Sequence, residues 1–270
     1  LDIYGKREDV RIVALADWDE DRLYGRTKAA GNIEGQAQGG VDLSEAKRFL
    51  TIDELMADAE VELADVCLPT PLHRSAGEAA LAAGKHLLVE KPVARTAADA
   101  RALADCAASS GKFAMPAMCM RFWPGWPWLK QAVAEQRYGK LLSVHFRRVT
   151  SNPGGPFYTD GEATGGAALD LHVHDADAVR WCFGMPRQVS AAGHTGFGGK
   201  VDYLVTQYFY DGGPVVTAEG GWSLAAGFGF EMQYTANFER ATAKFDINAD
   251  HWLKFVEPGG EWQHVPLDEG

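Results

Sequence analysis

Two short motifs supply the side chains that acid–base chemistry on an alcohol would need. The tripeptide Glu90-Lys91-Pro92 follows an apolar run at positions 86–89, and a glycine-led segment further along contains Asp170 and His174. Histidine is the natural general base near neutral pH, and an ammonium group can stabilise the alkoxide that forms as the proton leaves. Together these groups can move a proton on and off a hydroxyl while a hydride leaves the same carbon.

The spacing of the second motif predicts that its polar groups share one helix face. If residues 167–183 form a single helix, Asp170, His174 and Asp177 lie four and three residues apart, so they project together. His174 is then the candidate base, and Asp170 is placed to anchor a substrate hydroxyl and raise the basicity of the imidazole. Asp177 either orients His174 or pairs at the surface.

A metal site is the rival interpretation of the same segment. Asp170, His172, His174 and Asp175 look like a loose cluster of ligands. On a helix, however, residues two apart point in different directions. The two histidines would share a metal only in an extended segment, so we expect no catalytic metal.

The first part of the chain predicts the scaffold that positions Lys91. Short apolar runs alternate with helical patterns, which is typical of an α/β fold with a doubly wound parallel sheet. Strands are expected at 10–16, 49–52, 64–68, 86–89 and 112–118, helices at 19–30, 53–59, 74–83 and 96–109, and a loop at 31–41.

Polar and turn residues follow three of these predicted strands. Asp17 follows the first, Thr70-Pro71 with His73 follows the third, and Glu90-Lys91 follows the fourth. Ligands bind beyond the carboxyl ends of the strands in such sheets, so we expect all of these residues to contact a dinucleotide.

Two of these residues have more specific expected roles. An acidic side chain at the position of Asp17 accepts hydrogen bonds from a ribose diol and repels a 2′-phosphate, which favours NAD over NADP; alternatively, Asp17 caps the following helix. Lys91 is expected to hydrogen-bond both the nicotinamide ribose and a substrate hydroxyl.

The pattern changes after about residue 118, where period-two alternation predicts an open, mostly antiparallel sheet with a helix on one face. We therefore expect two domains, a dinucleotide-binding domain at 1–118 and an α/β substrate and oligomerisation domain at 119–270. Its strands are expected at 141–150, 188–193, 203–210, 215–222, 230–238 and 241–247, with helices at 128–137 and 167–183 and a hairpin turn at Asp211-Gly212-Gly213.

With these residues in place, the chain resembles the Gfo/Idh/MocA family of oxidoreductases. The matching features are the strand ending in Asp17, the turn with Thr70, Pro71 and His73, the run 83–86 before Glu90-Lys91-Pro92, and Gly165-Gly166 before Asp170 and His174. The resemblance implies a Rossmann-type domain followed by a domain with an open antiparallel sheet. It also implies that His174 is the catalytic histidine and Asp170 the substrate-side aspartate.

The chain departs from the family pattern in two places. No Gly-rich phosphate loop of the form G-x-G-x-x-G lies between Leu1 and Val10, so we expect the sequence to be a fragment, truncated at both ends. The family usually has a third glycine where this chain has Ala167, and glycine is also common where this chain has His172.

Composition limits the partners that we expect. The net charge is −11 without a basic run, which argues against nucleic acid and anionic membranes. The four cysteines show no metal-binding or disulfide spacing, and a reduced, cytoplasmic protein is expected.

The sequence therefore predicts an NAD(H)-dependent oxidoreductase that acts on a sugar, inositol or related polyol, in a homo-oligomer formed through the second sheet. Two alternatives remain open: an NAD-dependent glycoside hydrolase on the same fold, and a non-catalytic regulator that senses a nucleotide.

Overall fold

The computed structural model of the 270-residue chain describes residues 2–26 and 42–267. The chain divides into two compact units, Leu1–Ala117 and Met118–Gly270. The predicted loop at 31–41 lies outside the described residues. No helix in the described ranges is long and apolar enough to cross a membrane.

The first unit alternates strands and helices. Its parallel strands pair in two groups, β1 with β2, and β4 between β3 and β5, which confirms the Rossmann-type parallel sheet. The elements in the described residues are α1 (Asp2–Gly5), β1 (Ala14–Ala16), α2 (Glu20–Leu23), β2 (Lys47–Phe49), α3 (Ile52–Ala57), β3 (Leu63–Val66), α4 (His73–Ala82), β4 (His86–Val89), α5 (Ala97–Ser110) and β5 (Ala114–Pro116).

Local signals in the sequence explain where these helices begin and end. Thr96 caps α5 by accepting a hydrogen bond from the Asp99 N–H over 3.1 Å, and Gly111 ends the helix with a φ of 67°. α2 ends at Leu23, within the helix predicted over 19–30, and Gly25 takes a left-handed conformation. Residues 27–30 of that prediction lie outside the described residues.

The second unit is built on one open sheet. The strand order is β13-β12-β11-β10-β6-β9-β8-β7 and every pairing is antiparallel except that of β6 with β9, which confirms the mostly antiparallel sheet. Its elements in the described residues are α6 (Trp126–Ala134), β6 (Leu141–Ser151), α7 (Gly155–Thr159), α8 (Gly161–Thr164), α9 (Ala167–Asp170), α10 (Val173–Phe183), β7 (Gln188–Thr195), β8 (Val201–Phe209), β9 (Val215–Leu224), β10 (Phe230–Phe238), β11 (Thr242–Asp246), β12 (Leu253–Val256) and β13 (Gln263–His264).

The core of the second unit lies on one face of this sheet. Inward side chains alternate along the strands and pack with α6 and α10. Trp126, Tyr234 and Phe245 are fully buried and contact one another, with ring centroids 4.7–5.5 Å apart. The opposite face of the sheet carries polar side chains and scattered exposed apolar ones.

Candidate active site

The residues that follow β3 and β4 come from two neighbouring parallel strands. Val66 lies opposite Val89 in the register of the pair, and the Glu90 N–H donates to the Val66 carbonyl over 3.0 Å. The carboxyl ends of the two strands therefore meet at one edge of the sheet, which is where ligands bind in folds of this kind.

The turn after β3 is a single 3-10 turn, Thr70–Leu72, that leads directly into α4. Thr70, the first residue of the turn, is buried, whereas Pro71 is exposed. Because the turn follows β3, it lies at the edge at which a ligand would approach. Cofactor contact by Thr70 and Pro71 stays a prediction.

His73 connects the loops after β3 and β4. It is 1% exposed, and its two ring nitrogens lie 2.7 Å from the Leu68 carbonyl oxygen and 2.8 Å from that of Pro92. The ring therefore holds the two loops together, which gives His73 a structural role. The contact with a cofactor that the sequence predicts for it stays a prediction.

Lys91 follows β4 after a single intervening residue and is half-buried. Its main-chain N–H donates to Glu90 Oε2 over 3.1 Å, and its peptide bond to Pro92 is cis. The tripeptide thus forms a tight turn that places the lysine at the same sheet edge as the turn after β3. The Glu90 carboxylate accepts this main-chain hydrogen bond. Contact between Glu90 and a cofactor stays a prediction.

Asp17 directly follows β1 and lies in a small charged cluster. Its Oδ1 accepts a hydrogen bond from the Asp19 N–H over 2.9 Å and lies 3.3 Å from Arg22 Nη2. The cap of α2 is Asp19, not Asp17. The Arg22 guanidinium also lies 5.0 Å from the ring of the exposed Trp18. The carboxylate that we expect to select the cofactor therefore has a cation beside it, which the sequence analysis missed.

The second motif does not form the single helix that its spacing predicts. α9 ends at Asp170 and α10 begins at Val173. At the break, the His172 N–H donates to the Ala167 carbonyl five residues back over 2.8 Å. The His174 N–H donates only three residues back, over 3.3 Å. A wide turn is thus followed by a tight one, and such irregular turns are frequent at functional sites.

The break changes how the candidate catalytic residues are positioned. Asp170 is the last residue of α9 and His174 is the second residue of α10, so the prediction of a single helix over 167–183 is wrong. Both side chains are half-buried. Their roles as substrate anchor and base stay predictions, and they now depend on what fixes the two helix ends.

Asp177 has a partner of its own. The Arg121 guanidinium donates Nε to Asp177 Oδ2 over 2.8 Å and Nη2 to Asp177 Oδ1 over 2.6 Å. The sequence left two roles open for Asp177, orienting His174 or pairing at the surface. The structure shows pairing with Arg121, in which the Asp177 carboxylate is 12% exposed. The bidentate geometry fixes α10 to the segment that precedes α6.

A buried ionic pair beneath α10 was not found from the sequence. Arg148 of β6 and Asp175 of α10 are both almost fully buried and face each other. The signal was available, because Arg148 occupies an inward position in the alternation of β6, after Val144 and Phe146. A charged residue at such a position requires a buried partner.

The metal interpretation gains no support from the described residues, in which no group of three or more His, Cys, Asp or Glu side chains is arranged to hold an ion. His172 is instead buried, with its Nε2 3.1 Å from Thr206 Oγ1.

The comparisons with known proteins agree with the two units. Residues 12–118 match the model of an oxidoreductase family with an NAD-binding Rossmann fold. Residues 126–244 match the model of the GFO/IDH/MocA C-terminal domain. The chain belongs to the Gfo/Idh/MocA family. Its first unit is the NAD-binding Rossmann domain of that family, and the resemblance inferred from the motifs is confirmed.

Among curated members of the Gfo/Idh/MocA family, the pig trans-1,2-dihydrobenzene-1,2-diol dehydrogenase is 32% identical over 184 residues, 64% of this chain and 55% of the relative. The 1,5-anhydro-D-fructose reductase of Ensifer adhaerens is 34% identical over 158 residues, 57% of this chain and 47% of the relative. The chain thus spans about half the length of the curated relatives that it matches.

Solved structures of the family share the fold. A levoglucosan dehydrogenase in complex with NADH and levoglucosan superimposes with a TM-score of 0.78 at 18% identity, over 94% of this chain and 71% of that one. An oxidoreductase from Desulfitobacterium hafniense gives a TM-score of 0.81 at 16% identity, over 98% and 78%. At these identities the likeness shows the fold alone.

Proposed function

We propose that this protein is an NAD(H)-dependent dehydrogenase or reductase that acts on a secondary alcohol or ketone of a sugar, inositol or related polyol. The observation that carries the proposal is the position of Lys91 at the carboxyl end of β4, in a unit that matches the family's NAD-binding model. Ligands of parallel α/β sheets bind at such ends.

The residues of the first unit fit a nicotinamide dinucleotide. Asp17 is 30% exposed at the end of β1, where its carboxylate can accept hydrogen bonds from a ribose diol. The turn that begins at Thr70 and the turn at Lys91 lie at one edge of the sheet. When bound, the cofactor supplies the hydride chemistry, and the protein supplies orientation and charge.

In the proposed mechanism, His174 takes the proton of the reacting hydroxyl during oxidation and returns it during reduction. Lys91 donates a hydrogen bond to the reacting oxygen, and its ammonium stabilises the negative charge that develops there. Asp170 accepts a hydrogen bond from a substrate hydroxyl and so fixes which carbon reacts.

The names of the relatives support a vicinal diol or cyclic sugar as the substrate class. One relative is a dehydrogenase of a cyclic diol and another is a reductase of an anhydro sugar. Both substrates present a ring carbon that bears a hydroxyl or ketone beside further oxygens. We propose the same feature for the substrate of this protein.

The test, made on the full-length protein, is NADH formation or consumption at 340 nm with a panel of levoglucosan, 1,5-anhydro-D-fructose, trans-1,2-dihydrobenzene-1,2-diol and myo-inositol. Lys91→Ala should fold and still bind NAD but lose on the order of 10²-fold in kcat/KM. Lys6→Ala, at an exposed lysine of the same unit, is the control and should keep full activity. Activity within a few-fold of the parent in Lys91→Ala would refute the role proposed for this lysine.

We also propose that copies of the chain associate through the open face of the second sheet. Val205 and Val215 are exposed on that face, at 40% and 57%. Beside them lies a charged row in which Arg147 pairs with Glu219 and Glu231. An antiparallel sheet that packs its core on one face leaves the other face available to the same face of a second copy, as in a two-fold interface. Val205→Glu should dissociate the oligomer in light-scattering chromatography, whereas a parent that is monomeric would contradict the proposal.

A further inference from the structure

A buried ionic pair lies beside the break between α9 and α10. Arg148 and Asp175 are only 3% and 1% exposed at their side chains. Arg148 Nε lies 3.0 Å from Asp175 Oδ2 and 3.3 Å from Oδ1, and Nη2 lies 3.2 Å from Oδ1. Asp175 belongs to the first turn of α10, immediately after His174, so the pair fixes that turn to the central strand β6.

The guanidinium of Arg148 is itself held from other sides. Its Nη1 donates to Met232 Sδ over 2.8 Å, and its central carbon lies 5.8 Å from the ring of Trp126. A strand, β10, and a helix, α6, therefore fix the direction of the fork. Burying a charge pair confers no more stability than a well-packed apolar pair would. The charged pair instead fixes the orientation of the Asp175 carboxylate, because a bidentate guanidinium accepts a carboxylate in few orientations.

His172 holds the other side of the break. Its ring is buried, with Nε2 3.1 Å from Thr206 Oγ1 and Nδ1 3.9 Å from Asp175 Oδ2. The ring lies against the backbone of Gly220, where a Cβ would come within 2.5 Å of Nδ1. Burial lowers the pKa of His172, so the ring is neutral at physiological pH. The ring therefore gives the break a contact with β9.

From this geometry we infer that Arg148, Asp175 and His172 form a positioning cluster that sets the direction of His174. The inference rests on the proposed function, in which His174 takes the substrate proton. His172 and Asp175 flank His174 in sequence and fix the backbone on both of its sides. None of the three touches the reacting atoms; they act through His174. A loss of the cluster should therefore lower kcat more than it weakens binding.

The experiment compares a charged pair with an apolar one. The double variant Arg148→Met, Asp175→Leu fills the same space without the directional bond and should keep the thermal stability close to that of the parent. Its kcat should fall about tenfold or more, with the KM for NAD changed less than about threefold. Leu253→Ala, a cavity variant on β12 away from the cluster, should lose stability but keep kcat.

A second readout does not depend on activity. The titration of the His174 imidazole by NMR, assigned by its absence in His174→Asn, should shift by about 0.5 pH unit or more in the double variant and not in Leu253→Ala. If the double variant fails to fold, Asp175→Asn, which keeps the shape of the side chain, takes its place in both measurements. A folded variant with parental kcat and an unshifted His174 titration would overturn the inference.

The two proposals fail in different ways. If His174→Asn leaves activity unchanged, or if the parent shows no NAD-linked activity, the proposed function is wrong. The NMR titration then still decides whether the cluster positions His174: a shift in the double variant supports it, and an unchanged curve refutes it.

Discussion

We expect a preference for NAD over NADP because of the negative charge of Asp17 after β1, and the structure places a cation beside that charge. The Asp17 carboxylate lies 3.3 Å from the Arg22 guanidinium. A negative charge at this position repels the 2′-phosphate of NADP, whereas the neighbouring cation weakens that repulsion. We therefore expect Asp17→Asn to reduce the preference for NAD and Arg22→Gln to increase it.

The size of each effect follows from the exposure of the two side chains. We expect the full-length protein, which is the parent here, to prefer NAD by at least about tenfold, or about 1.4 kcal/mol, and Asp17→Asn to bring the ratio close to one. Arg22 and Asp17 are 47% and 30% exposed, and ion pairs of that exposure contribute about 0.2–1 kcal/mol. Removing the cation should therefore raise the preference by about 1.4- to 5-fold.

The assay is kcat/KM with NAD and with NADP for the parent and the two variants, at one salt concentration and pH. Arg26→Gln is the matched control, because Arg26 pairs with Asp21 in the same region without contacting Asp17. Its ratio should equal that of the parent. Equal use of both cofactors by the parent, or a lower NAD preference in Arg22→Gln, would show that Asp17 does not select the cofactor.

Two further predictions concern stability. Burial lowers the pKa of His172, so below the ordinary imidazole value of about 6.5 the unfolded state binds a proton more readily than the native state. The free energy of unfolding should therefore fall as the pH drops below that value, by up to about 1.4 kcal/mol per pH unit. In denaturant melts, the free energy of unfolding should fall less steeply with decreasing pH for His172→Gln than for the parent, whereas His251→Gln, at an exposed histidine, should follow the parent. Equal slopes for His172→Gln and the parent would contradict this. Gly125 has a φ of 96° and a Cβ there would lie 2.5 Å from the Phe245 ring, so Gly125→Ala should cost at least about 2 kcal/mol. Gly184→Ala, with positive φ but open space, should cost clearly less, and equal costs would mean that the ring contact is unimportant.

The regular parts of the fold were predictable because their signals are local. Thr96 and Gly111 mark the two ends of α5, and the alternation from Phe230 to Phe238 predicts β10 at its observed bounds. The strands β12 and β13 were missed, since four and two residues are too short for a periodic pattern.

The candidate site was predictable as a set of residues but not as an arrangement. The types and order of Lys91, Asp170 and His174 indicated the chemistry. The break before His174 was not visible, because residues 171 and 172 carry no helix-breaking signal. It depends on long-range contacts, such as that of Arg148 with Asp175, which single-sequence spacing does not report.

The most direct test of the central claim is the pH–rate profile of His174→Asn beside that of the parent and of His251→Asn. In the oxidation direction, the kcat/KM of the parent and of His251→Asn should fall as pH drops through the range in which imidazoles ordinarily protonate, about pH 6–7. His174→Asn should lose that acid limb and on the order of 10²-fold in rate. An intact acid limb in His174→Asn, at a rate close to that of the parent, would contradict the assignment of His174 as the base.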